Sequence, residues 1–115
     1  MIDGHNLIPK IPGLSLRDID DENQLIEMVQ EYCRIRRNRA ELYFDNAPAG
    51  LAGIQQKGLL TVKFVRAGRT AEQAIKDRLV SLQRRARNWT VITSDRSIQI
   101  AARTVMARGI SSDEF

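Results

Sequence analysis

The stretch Trp89-Thr90-Val91-Ile92-Thr93-Ser94-Asp95 decides how this chain reads. Thr90, Val91 and Ile92 are β-prone. Two small hydroxyl residues and a carboxylate follow, and a helix-period segment begins immediately after them. A buried parallel strand that delivers an acid to the carboxyl edge of a sheet has this form. In open α/β sheets the ligand crevice lies outside that edge. Taken alone, Ser94-Asp95 reads first as an ordinary helix N-cap. The sheet-edge reading gains weight because the same pattern recurs upstream.

Directly before this strand, Ala71, Ile75, Leu79, Leu82 and Ala86 recur at helical spacing, and Thr70-Ala71-Glu72-Gln73 forms a capping box at their head. Glu72 therefore belongs to a first helical turn, where a carboxylate also suits the helix dipole whatever else it does. Before that helix, Leu59 to Val65 alternates as a strand and Arg66 to Arg69 turns the chain. Ala40 to Phe44 reads as another strand, ending in Asp45. Between them, Asn46 to Gly58 is rich in Ala, Gly and Pro, lacks acids, and is expected to be a long surface loop.

Further upstream, Leu25, Val29, Tyr32 and Cys33 form the buried stripe of a helix, with Asp21 and Gln24 resembling its capping box. That helix ends in Arg34, Arg36, Arg37 and Arg39, most simply cations at a helix C-terminus, with nucleic-acid contact as the second reading. Pro9, Pro12 and Gly13 mark a loop, and the chain opens with a very short strand leading into Asp3-Gly4-His5-Asn6. Gly4 permits a tight turn after which Asn6 can fold back. Downstream of Asp95, Ile98, Ala101, Ala102 and Val105 make a third helical stripe, with Gly109 expected just past its end. Ile110 would begin a fifth strand, and Ser111-Ser112-Asp113-Glu114 is another capping box. The alternation implies an α/β fold of three layers, with a central, mostly parallel sheet of four to five strands.

The chain of 115 residues suits one domain. Hydrophobic residues at 43% and charged residues at 28% describe an ordinary globular protein. No apolar run approaches the roughly 20 residues of a membrane span, and the single Cys33 is expected to be a core residue in a reducing, cytoplasmic setting. The net charge of +4 is carried mainly by arginine, 14 of the 18 basic residues. An arginine excess suits a polyanionic partner such as RNA or DNA, although solvated helix faces explain it about as well.

Asp3, Asp45, Glu72 and Asp95 each fall at the end of a strand or in the first turn after one. If the strands are parallel neighbours, the four converge, and carboxylates so placed repel unless a cation sits among them. An all-oxygen acidic set suits Mg²⁺ or Mn²⁺ better than Zn²⁺. With His5 as the single histidine, a His-rich zinc site and a Ser-His-Asp triad lack support, and no Walker or GxGxxG loop is present. Such a cation can polarise a phosphodiester and acidify water, while arginines hold the backbone.

Asp3-Gly4-His5-Asn6, Phe44-Asp45, Thr70-Ala71-Glu72-x-x-Ile75, Thr93-Ser94-Asp95 and Ser111-Ser112-x-Glu114-Phe115 occur in the order seen in NYN domains. The chain resembles their YacP-like branch, among the PIN-like nucleases, over nearly its whole length. The resemblance implies a single PIN-like domain over residues 1–115, shortened at both ends relative to the family. It also implies a divalent-metal-dependent endoribonuclease linked to translation or RNA turnover. Asp3, Glu72 and Asp95 then match the catalytic, metal-binding carboxylates, with Asp45 a further metal-side acid and Asn6 and Ser94 supporting the site. Arg66, Arg69 and Arg96 are expected to contact RNA phosphates, and the 46–58 loop to gate the substrate. Two departures stand out: Glu72 where the family usually has Asp, and Gln73 at an often acidic position. The alternative is an RNA- or ribosome-binding module of the same fold with little or no catalysis.

Overall fold

A computed structural model describes residues 1–8, 19–47, 53–66 and 68–112; the side chains of residues 6, 19–21, 46 and 47 lie outside that description. The strands are β1 (Ile2–Asp3), β2 (Ala40–Ala47), β3 (Gly53–Lys57), β4 (Leu60–Arg66), β5 (Thr90–Ile92) and β6 (Arg108–Ile110). The helices are α1 (Gly4–Leu7), α2 (Ile19–Arg36), α3 (Ala71–Leu82) and α4 (Arg96–Thr104), with a 3₁₀ segment at Gln83–Asn88. The strands form one sheet in the order β3-β4-β2-β1-β5-β6. Every neighbouring pair is parallel except β3 with β4.

The pleat of β2 sorts the core into two layers. Leu42 and Phe44 face one side, where they pack with Leu25, Ile26, Val29 and Cys33 of α2. Tyr43 faces the other, with Ile75 and Leu79 of α3 and Ile98 and Ala102 of α4. Helices thus cover both faces of a mostly parallel sheet, the three-layer α/β/α arrangement. Each fully buried Leu or Ile in these layers contributes about 1.5–3 kcal/mol. Cys33 is buried, and burial raises its pKa, as suits a core thiol.

Several sequence expectations change. The sheet has six strands. Part of the expected 46–58 loop is strand: β2 continues to Ala47, and β3 pairs antiparallel with β4 from Gly53↔Phe64 to Lys57↔Leu60. β3 is exposed nearly throughout, so it has no burial alternation to read, and ladder hydrogen bonds alone define it. Gly58 (φ 62°) makes the reversal between them. Residues 48–52 of that loop, the 9–18 segment and the end of the last capping box at 113–115 lie outside the described residues.

In α2, Ile26 is buried while Tyr32 is exposed, and Asp21 lies inside the helix rather than at its cap. Gly109 is not a helix terminator but a β6 residue paired with Val91, and Ile110 ends that strand rather than starting one. Met106 (φ 65°) takes the left-handed position after α4, with Ala107 N–H donating to the Ala102 carbonyl at 2.8 Å and Met106 N–H to that of Arg103 at 3.0 Å. Gly4 is needed for close approach rather than for a turn. A Cβ there would stand 2.3 Å from Cε1 of Phe44 and 2.9 Å from the Tyr43 carbonyl oxygen.

Candidate functional site

The parallel topology gathers the strand ends along one edge. Asp3 ends β1 and is in register with Tyr43 of β2, while Ile2 is in register with Ile92 of β5. Asp45 therefore lies just past Asp3 on one side of β1, and Asp95, beyond Ile92, lies on the other. Glu72 reaches this edge from the start of α3, where Thr70 and Gln73 complete the capping box.

Asp95 is held from below. Its backbone N–H donates to Thr93 Oγ1 at 3.0 Å, and Gln99 Nε2 donates to the Thr93 carbonyl at 2.9 Å. Its Oδ1 caps α4, accepting from the backbone N–H of Ser97 (2.8 Å) and Ile98 (3.2 Å). The N-cap and sheet-edge readings of this residue are thus both true. Capping engages Oδ1 and leaves Oδ2 without a hydrogen-bond donor among the described residues.

Ser97 is the residue that sequence reasoning missed. Its hydroxyl oxygen lies 2.6 Å from Glu72 Oε1 and 2.7 Å from Asp95 Oδ1. A hydroxyl has one proton, so it can donate to only one of these carboxylates at a time. Three oxygens therefore meet with a shortage of positive charge, which Lys76 partly meets by donating from Nζ to Glu72 Oε1 at 2.7 Å. The hydrogen bonds from Lys76 and Ser97 lower the pKa of Glu72 against the opposing influence of the Asp95 charge. Those from Ser97 and the helix N-terminus lower that of Asp95. Both remain ionised near neutrality. The signal for Ser97 was its place two residues after an N-cap acid, and for Lys76 its i,i+4 spacing from Glu72.

Asp45 is engaged differently. Its Oδ1 lies 2.7 Å from His5 Nδ1, while His5 Nε2 lies 2.8 Å from Glu22 Oε2. With a carboxylate at each ring nitrogen, the protonated ring satisfies both contacts at once by donating from Nδ1 and Nε2. Burial opposes that charge, but the hydrogen bonds to Asp45 and Glu22 outweigh it and raise the pKa of His5. One ring thereby ties α1, β2 and α2 together beside Asp3.

The four acids are thus divided. Glu72 and Asp95 meet at Ser97, Asp45 pairs with His5, and Asp3 stands half-buried at the end of the strand between them. Among the described residues, no three His, Cys, Asp or Glu side chains are grouped closely enough to hold a metal ion in this arrangement. The Glu72–Asp95 pair nevertheless offers an all-oxygen, charge-deficient donor set of the kind that fits Mg²⁺ or Mn²⁺. Ser94 is exposed, and the Asn6 side chain lies outside the described residues. Arg66 ends β4, Arg69 precedes α3 and Arg96 opens α4. All three are exposed along the same edge, and Arg69 pairs with Asp77 at 2.5 Å.

A family model described as the YacP-like NYN domain matches residues 1–115. The crystal structure of Rae1 (YacP) from Bacillus subtilis is similar over 98% of this chain and 68% of that one, with 28% identity and a TM-score of 0.76. The structure of a tryptophan-to-leucine variant of that protein is similar over 98% and 69%, with 26% identity and a TM-score of 0.77. No curated protein sequence matches.

Proposed function

The chain belongs to the YacP-like NYN family, among the PIN-like nucleases, and from that premise we propose that it is a divalent-metal-dependent endoribonuclease. The observation that carries this reading is the meeting of Glu72 and Asp95 on the one-proton hydroxyl of Ser97, at the carboxyl edge of the sheet. Glu72, Asp95 and, across from them at the end of β1, Asp3 would hold Mg²⁺ or Mn²⁺. When bound, such a cation supplies charge stabilisation at a phosphodiester and acidifies water.

The chain's own residues perform the rest. Ser97 keeps the two carboxylates together, and the α4 cap fixes Asp95 so that little reorganisation is needed when the substrate arrives. Lys76 holds Glu72 through its ammonium, which would also lie within this site for a substrate phosphate. Arg66 and Arg96 offer further phosphate contacts at the same edge.

A second reading, an RNA- or ribosome-binding module with weak catalysis, is favoured by the charge already committed here. Lys76 occupies Glu72, and His5 occupies Asp45. A gel assay on a mixed single-stranded RNA separates the two, using Mg²⁺, Mn²⁺ or EDTA beside Asp95→Asn. Cutting that requires metal and disappears in the variant is the expected result. Equal RNA binding without cutting by either protein would move the conclusion to the binding module.

A further inference from the structure

The edge opposite the carboxylates is as strongly marked as the site itself. Because α2, α3 and α4 run antiparallel to the strands they cover, their C-termini and the beginnings of the parallel strands gather there. Arg36 closes α2, Arg37 follows it, and Arg39 stands directly before β2. Arg84, Arg85 and Arg87 fill the 3₁₀ segment before β5. Arg103 lies in the last turn of α4, and Arg108 opens β6 beside Trp89, whose carbonyl accepts from its N–H at 3.0 Å. All eight are exposed, and none is in an ion pair with a carboxylate among the described residues.

Helix dipoles account for cations in the last turns of α2 and α4. They also favour Arg84 and Arg85, which follow closely on the end of α3, but do not account for Arg39 or Arg108, which precede strands, nor for Arg87 beyond that first turn. Unpaired like charges repel, so their assembly is a cost that a bound polyanion would relieve. The nearby acid Glu41 is spoken for: it is buried, and it accepts from Tyr43 at 2.6 Å and Arg78 at 3.1 Å.

We infer that this amino edge is a second RNA-binding surface, one that grips the phosphate backbone away from the carboxylate site. Arginine's planar fork suits phosphate oxygens. Between Arg39 and Trp89, with Gln56, Thr61, Arg78 and Glu41 alongside, lies a hollow of about 430 Å³. The Arg78 guanidinium lies over the Trp89 ring, 5.8 Å from its centroid, so the hollow presents a planar cation backed by an aromatic ring to an entering nucleotide. An anionic membrane would be matched by basic charge alone, without such a hollow. The inference rests on RNA as the partner in the proposed function, and adds where a long substrate is held while it is cut.

Fluorescence anisotropy with a labelled mixed-sequence single-stranded RNA in EDTA tests it without catalysis. The proteins compared are wild type, Arg84→Gln/Arg85→Gln/Arg87→Gln, Arg37→Gln/Arg39→Gln and Asp95→Asn. Each arginine variant should bind at least about tenfold more weakly, and the triple variant should lower the slope of log K against log salt by about 2. Asp95→Asn should bind at least as well as wild type. Circular dichroism confirms folding, and the two arginine variants share no residue, so each stands as a check on the other. Wild-type affinity in both arginine variants overturns the inference. So does no RNA binding by wild type, or arginine-dependent binding to phosphatidylserine vesicles with RNA binding unchanged. Arginine-dependent RNA binding with no metal-dependent cutting would sink the proposed hydrolysis and leave this surface standing; intact cutting with no arginine dependence would do the reverse.

Discussion

Glu72 and Asp95, brought together by the packing of α3 beside α4, both stand within hydrogen-bonding distance of a single hydroxyl that has one proton to give. That shortage of protons is the ground on which the proposed metal site rests. It also predicts what removing the hydroxyl does. In Ser97→Ala the carboxylates lose their tether, while Asp95 keeps its backbone donors and α4 keeps its cap. RNA cleavage at limiting Mn²⁺ should fall about tenfold, the result of losing roughly 1.4 kcal/mol of stabilisation, and partly recover at high Mn²⁺. Stability should change little. Unaltered cleavage at every metal concentration would show that the tether plays no part.

The pairing of His5 with Asp45 and Glu22 predicts a pH dependence. Its pKa is raised in the folded protein, so its contribution to stability is fully present below the unfolded value, about 6.5. That contribution is lost as pH rises through the higher folded value. Urea denaturation of wild type and His5→Gln over a pH series should therefore show a stability gap that is widest in mild acid and narrows toward alkaline pH. A gap of constant size across the series would rule out His5 as the titrating tie.

Gly4→Ala should be costly although Gly4 lies in a helix, where alanine is normally preferred. The added Cβ meets both the Phe44 ring and the Tyr43 carbonyl, and the backbone atom cannot swing aside. Overpacking of this kind costs about 1–3 kcal/mol. Because Gly4 follows Asp3, cleavage should fall along with the thermal midpoint. An alanine variant as stable as wild type would mean that α1 can retreat from β2 at no cost.

Met106→Gly should have the opposite effect. Met106 holds a left-handed conformation at the end of α4 and is 72% exposed, so its side chain contributes little burial to set against the backbone strain. Glycine removes that strain but gives the unfolded chain more freedom, for a net gain of about 0.5–1 kcal/mol. Chemical denaturation reads it directly, and a loss of stability would show that the Met106 side chain has a packing role.

The legibility of the chain followed the range of the interactions involved. Thr70 and Gln73 announced the start of α3 because a capping box is made within four consecutive residues. Ile75, Leu79, Val91 and Ile98 were readable as core because burial follows a local period. Periodicity failed where burial did: β3 is exposed and held by ladder bonds to β4, so its sequence resembles a loop. It also failed where an unusual residue did a common job, as at Met106, which takes the position expected of glycine.

By itself, the sequence determined the mostly parallel α/β order, most of the two core layers and the placing of Asp3 at a strand end, Asp95 just past one and Glu72 at a helix start, since each depends on residues close in the chain. Asp45, expected at a strand end, lies inside β2, which runs on to Ala47. The tertiary structure alone decided which of these acids meet. Ser97 joins Glu72 to Asp95, and His5 draws Asp45 toward Glu22, because those contacts depend on how α1, α2, α3 and α4 pack across the sheet. The same packing gathered arginines from distant segments onto one edge. Their residue types were plain in the sequence, but their common location was a product of strand order and helix direction.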